Sequence, residues 1–262
     1  MLSNDKKLKI LGRAKPHFDS VLPIGQLYKP DWDKYCVAMK GIFDRSYYNN
    51  NGPLLTELET KIAGFIDVKH VICTSNATFG LMMALDALGL KGKVILPAFT
   101  FIASLQSLQW NNLEPVLCEI DPETQQIDCD RLIELIDKDV TAILGVNLWG
   151  NACDVEQLED IAKSYGIKLI MDSAQAFAVT VNGKKVGAFG DCEVFSFHAT
   201  KIVNASEGGC ICTNDNELAE KIRAIRPSYP ANSNIHVRRV INARMSEAQA
   251  AMALLSLDDL QN

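Results

Sequence analysis

Short, nearly uninterrupted apolar runs recur along the chain, each followed by a segment of helical spacing. The runs cover residues 71–74, 93–96, 115–120, 142–146, 168–171, 194–197 and 210–213. A strand wetted on one face alternates apolar and polar residues, whereas a run that is apolar throughout is buried on both faces. Helical patterns fall at 31–43, 56–66, 78–90, 100–110, 130–136, 155–165 and 217–225. Strands that alternate with helices pair mostly in parallel, because each return to the same edge needs a helix-length crossover. The expected fold is therefore α/β: a three-layer α/β/α sandwich around a mostly parallel central sheet.

A chain of 262 residues, 48% hydrophobic, can bury a sizeable core as one large domain or as one domain plus a fragment. Its net charge of −6 argues against a nucleic-acid partner, which would call for a basic face. The eight cysteines form no C-x-x-C pair and mostly sit inside apolar runs, as small hydrophobes do in a reducing compartment. Cys210 and Cys212 share a strand face, but two thiols alone make no zinc site, so no metal is expected. The basic N-terminus lacks the apolar block of a signal peptide, and no run reaches the length of a membrane span. A cytoplasmic protein without a membrane partner is the expectation.

Residues 1–30, with Pro16, Pro23 and Pro30, read as an arm. Residues 31–240 hold the strands and helices, and a helix capped by Ser246 occupies much of 241–262 with no stop signal before Asn262. It is expected to be the start of a linker to a small C-terminal domain that this chain lacks.

Ligands of open α/β sheets bind beyond the carboxyl ends of the strands. Ser75-Asn76-Ala77-Thr78 follows the first run and opens a helix, whose free N–H groups and dipole favour an anion. Asp172 follows the run at 168–171, and His198, Thr200 and Lys201 follow that at 194–197. Taken singly, these are an ordinary helix cap, a capping carboxylate and a solvated loop lysine. Together they offer a phosphate seat, a carboxylate and an amine that desolvation would make nucleophilic. Pyridoxal 5'-phosphate needs all three: a helix N-terminus for its phosphate, a carboxylate for its ring nitrogen and a lysine for its aldehyde.

Phe195-Ser196-Phe197-His198-Ala199-Thr200-Lys201, followed by Glu207-Gly208-Gly209, resembles the signature of the DegT/StrS-type nucleotide-sugar aminotransferases. So do Pro97-Ala98-Phe99-Thr100-Phe101-Ile102-Ala103, Asp172-Ser173-Ala174-Gln175 and Asn242-Ala243-Arg244-Met245, with Asn51-Gly52-Pro53 and Glu57 upstream. The resemblance implies a fold-type I transferase large domain with the cofactor as a Schiff base on Lys201, which would also move the proton. It implies Asp172 at the ring nitrogen, Gln175 near the ring hydroxyl, and Ala77, Thr78 and Ser196 at the phosphate. Phe101, otherwise read as a core residue, would stack on the ring, and Asn242 would reach the phosphate of the partner subunit in a homodimer.

The implied reaction is transamination of a nucleotide-linked 3-keto or 4-keto deoxyhexose, with glutamate as donor, in amino-sugar and cell-surface polysaccharide (O-antigen) synthesis. A non-catalytic or regulatory member of the fold is the alternative. A sugar dehydratase on the same scaffold is less favoured, since those relatives carry histidine where Lys201 stands. Two positions and one segment depart from the family pattern. Ala77 replaces a glycine of the phosphate seat, Ile241 stands where glycine is expected, and Arg226-Pro227-Ser228-Tyr229-Pro230 replaces a more usual Arg-x-His-Gly.

Overall fold

The structure is a computed structural model, and it describes residues 28–227 and 235–260. The arm expected over 1–30 therefore lies outside the described residues except for 28–30, as do Ser228, Tyr229 and Pro230.

In chain order the elements are helices α1 (Trp32–Arg45) and α2 (Pro53–Ile66), strand β1 (His70–Thr74), α3 (Ala77–Ala87), β2 (Lys93–Pro97), α4 (Ile102–Trp110) and β3 (Glu114–Cys118). Next come α5 (Cys129–Leu135), β4 (Val140–Val146), α6 (Val155–Tyr165), β5 (Lys168–Asp172), and the short strands β6 (Thr180–Val181) and β7 (Lys184–Lys185). The last are β8 (Cys192–Ser196), β9 (Gly209–Thr213), α7 (Asn216–Ile225) and α8 (Glu247–Asp259). The central sheet has seven strands in the order β1-β9-β8-β5-β4-β2-β3. Only β9 runs against its neighbours; the other strands share one direction.

Helices cover both faces, as the apolar runs require. On β5, Leu169 and Met171 pack into one side of the core and Ile170 into the other; on β9, Cys210 and Cys212 oppose Ile211. Helices α2, α5, α6 and α8 close the first side, and α3, α4 and α7 the second. Each fully buried side chain of this size contributes ~1.5–3 kcal/mol, so the two faces specify strand register strongly. Seven of the eight cysteines are buried and none is paired; Cys36 alone is exposed.

Differences from the sequence expectations sit at element ends. Helix α2 starts at Pro53 rather than residue 56, because the buried Glu247 carboxylate accepts the N–H groups of Leu54 (3.1 Å) and Leu55 (2.9 Å). That cap comes from nearly two hundred residues along the chain. Helix α3 stops at Ala87, short of residue 90, with Gly89 in the left-handed region (φ 66°). Helix α4 begins at Ile102, two residues after the expected start, with Phe101 as its cap residue. Strand β3 ends at Cys118, and Ile120 pairs separately with Ile127. Strand β8 begins at Cys192 and so takes Glu193 into the sheet. Helix α8 runs to Asp259 with Leu260 as its cap residue; residues 261–262, to which the sequence pattern extends the helix, lie outside the described residues.

The small hairpin of β6 and β7 was not anticipated. Its turn, Asn182-Gly183, has both residues at positive φ (49° and 82°), the pattern of a tight two-residue hairpin connection.

Candidate active site

A cavity of about 500 Å³ opens at the carboxyl edge of the parallel strands. Seven of the eight residues singled out from the sequence line it: Ala77, Thr78, Phe101, Asp172, Gln175, Ser196 and Lys201. The eighth, Asn242, lies outside the cavity and accepts a hydrogen bond from Arg244 Nε at 3.1 Å.

Helix α3 points its N-terminus at this space. Asn76 caps it by accepting the Phe79 N–H at 2.8 Å, so the N–H groups of Ala77 and Thr78 lie ahead of the first intrahelical bond. Ala77 is not among the residues at positive φ, so alanine serves here without strain. The return strand passes so close that a Cβ on Gly209 would lie 2.6 Å from Phe195 O and 2.8 Å from Ala77 N. Glycine is required there.

Asp172 ends β5 in the middle of the sheet, where β4 and β8 flank it. Ser104 Oγ, on α4, donates to its Oδ2 at 2.7 Å, and the Ala174 N–H donates to Oδ1 at 3.2 Å. Thr100 Oγ1 sits 2.8 Å from Ser104 Oγ and extends the chain of hydroxyls toward the cavity. Burial pushes the Asp172 carboxyl above its ordinary range; the Ser104 hydrogen bond, the Ala174 N–H and the charge of Lys201 oppose that shift. A cationic ring nitrogen in the cavity would oppose it further.

Lys201 stands in the loop joining β8 to β9. Burial lowers its pKa from the usual value, and Asp172 pulls the other way. The direction favours a neutral amine, which is the nucleophilic form. Its N–H donates to His198 O at 2.8 Å, while Ala199 and Ala205 bond across the loop to Ser206 O and Phe197 O, each at 2.9 Å. A lysine in such a closed loop is aimed, not free.

The remaining predicted residues fall around these. Phe101 is 68% exposed at the cavity, which rules out the core reading and leaves a ring face open to a ligand. Gln175 Oε1 accepts the Trp149 N–H at 2.8 Å; since a backbone N–H can only donate, the amide NH2 of Gln175 remains as its donor. Ser196 Oγ accepts the His198 N–H at 3.3 Å. Arg226 does not face the cavity: it is buried against Glu59 (2.7 Å), Cys73 O (2.9 Å) and Asn51.

Ser104 escaped the sequence reading. The available signal was the hydroxyl pair Thr100 and Ser104 at helical i, i+4 spacing, but nothing local shows that it meets a carboxylate 68 residues away.

The donor set fits pyridoxal phosphate: helix-start N–H groups and a hydroxyl where phosphate would sit, a fixed buried carboxylate, and a half-buried lysine whose pKa burial lowers. The fold and cavity define the large domain of a pyridoxal-phosphate-dependent transferase. More particularly, the chain belongs to the DegT/DnrJ/EryC1/StrS aminotransferase family, whose profile matches residues 35–262. It is 38% identical over 232 residues to the dTDP-4-amino-4,6-dideoxy-D-glucose transaminase of Shigella dysenteriae, covering 88% of this chain and 63% of that one. The crystal structure of DesI in the presence of its TDP-sugar product matches with TM-score 0.90 and 39% identity, over 97% of this chain and 64% of that one. NtdA from Bacillus subtilis, with bound cofactor PMP, matches with TM-score 0.80 and 28% identity, over 87% of this chain and 53% of that one. The chain thus spans a little under two thirds of the length of the first two proteins.

Proposed function

We propose that the protein carries the cofactor-binding part of a transaminase acting on a nucleotide-linked keto sugar, a 3-keto or 4-keto deoxyhexose. Glutamate is the proposed amino donor and the cytoplasm the proposed compartment, in the synthesis of amino sugars for cell-surface polysaccharide such as O-antigen. The observation that carries this reading is the convergence of Lys201, Asp172 and the α3 N-terminus on one cavity. Residues 31–240 would form the cofactor domain, and 241–262 the beginning of a helical link to a smaller domain.

When bound, pyridoxal phosphate supplies an electron sink for the carbon that loses its proton. The chain's own residues do the rest. Lys201 would hold the cofactor at rest and, once an incoming amine displaces it, its freed amine would move the proton as general base and acid. Asp172, steadied by Ser104, keeps the ring nitrogen protonated. Ala77, Thr78 and Ser196 would bind phosphate, Phe101 would cover the ring, and Gln175 would donate to the ring oxygen. Asn242, outside its own cavity, would complete the phosphate seat of a second copy, which makes the working unit a homodimer with shared sites.

Full-length protein incubated with glutamate and a panel of nucleotide-linked 3-keto and 4-keto sugars tests the proposal. Mass spectrometry should detect an amino sugar nucleotide with one of them, and Lys201→Ala should abolish it. Cofactor binding without turnover across the panel would favour a regulatory member of the fold instead.

A further inference from the structure

Helix α8 holds the lysine loop at two points, both of them after Lys201. On the near side, Ser256, 1% exposed, accepts the Asn204 N–H through Oγ at 3.0 Å and donates to Ile202 O at 3.3 Å. On the far side, Gln249 Nε2 donates to Glu207 O at 2.6 Å. The two anchors are seven residues, about two helical turns, apart on α8, and they hold the segment that follows Lys201. Gln249 also closes the capping box that starts α8, since its Oε1 accepts the Ser246 N–H at 2.9 Å. The helix start and one end of the loop are therefore set by a single side chain.

We propose that Ser256 and Gln249 are positioning residues for Lys201, fixing where its amine meets the cofactor's aldehyde. The inference rests on the functional reading above. The step concerned is condensation: the neutral amine attacks the aldehyde carbon, a C–N bond forms and water leaves. The carbonyls of Ile202 and Glu207 are held from α8, so the aim of the lysine depends on a helix some fifty residues downstream. A loop displaced by even a fraction of an ångström would still bind the phosphate and ring but would present the amine poorly.

The capping box allows a clean separation. Gln249→Glu keeps an acceptor for the Ser246 N–H, the usual capping-box chemistry, but cannot donate to Glu207 O. Ser256→Ala removes the other anchor. Three measurements on the full-length apo protein decide the matter: the rate of covalent capture of pyridoxal phosphate followed by absorbance, the affinity for pyridoxine phosphate, which has no aldehyde, and the melting temperature. The expected result is capture slowed roughly fivefold to tenfold in each variant, with pyridoxine phosphate affinity unchanged and Gln249→Glu melting like the parent. Unchanged capture rates in folded variants would overturn the proposal. So would losses of capture and of pyridoxine phosphate affinity that track the melting temperature, since those mark a merely structural role. A parent protein that never captures the aldehyde would overturn the functional reading itself and this inference with it.

Discussion

Two buried carboxylates stand side by side in the sheet and meet different fates. Met171 on β5 pairs with Glu193 on β8, and Asp172 pairs with Val194, so the two acids are offset by one residue on neighbouring strands. Asp172 is 5% exposed and Glu193 0%, and burial pushes both carboxyls above their ordinary range. Asp172 sits at a strand end, opens on the cavity, and has Ser104 and Ala174 as donors. Glu193 sits inside the sheet, where neither oxygen makes a hydrogen bond of good geometry among the described residues; the charge of Lys184 and a loose approach of the Phe189 backbone N–H ease its burial only in part. Burial and a raised pKa are common to both. What sets Asp172 apart from Glu193 is a fixed set of donors and a cleft on which the charge could act, the reason Asp172 is the proposed catalytic carboxylate.

The largest expected effect breaks the pair directly. Asp172→Ala should lower kcat/KM for transamination on the order of 10²–10³-fold, the usual scale for removing one fixed electrostatic partner of a reacting group. Glu193→Gln should leave it within about twofold under the same assay. A comparable loss from both substitutions would dissolve the distinction.

Next in size is the donor that distinguishes them. Ser104→Ala should weaken cofactor affinity by about tenfold or more, as expected for loss of a hydrogen bond to a charged group, read by fluorescence titration with pyridoxal phosphate. Ser104→Thr keeps a hydroxyl and should recover part of the loss.

Glu193 is sharpened through stability. Its folded pKa is raised, so the folded state holds a proton that the unfolded state releases as pH climbs past the ordinary carboxylate range. Stability from this group is therefore greatest below that range and is lost as pH rises toward the folded pKa. Glu193→Met should remove the loss, stabilising the protein at neutral pH by ~1–3 kcal/mol and flattening the pH dependence of denaturant midpoints. A destabilised variant would mean the carboxyl is satisfied after all.

The smallest effect concerns the phosphate seat. Ala77→Gly should leave cofactor affinity unchanged and cost under about 1 kcal/mol in thermal stability, because the N–H is already presented from an unstrained backbone. A large gain in affinity would show that the alanine constrains the seat.

The same contrast explains what could be read from the sequence. The α3 N-terminus, Asp172 and the Lys201 loop lie at or just beyond strand ends, so their meeting at one edge is a consequence of parallel strand order. The apolar runs likewise specified the layers and the mostly parallel sheet. Glu193 was hidden because a charged residue ordinarily closes an apolar run; the expected strand began one residue after it. Ser104 and the Glu247 cap of α2 depend on side chains meeting across dozens to hundreds of residues, which no local pattern encodes. The aim of the lysine loop, set from α8, is hidden for the same reason.

One measurement reaches the central claim. The protein is mixed with pyridoxal phosphate, reduced with borohydride to make any lysine link permanent, digested, and mapped by mass spectrometry. The account predicts modification at Lys201, lost in Lys201→Ala and weakened in Asp172→Ala. Modification centred on another lysine, or undiminished in Lys201→Ala, would contradict it.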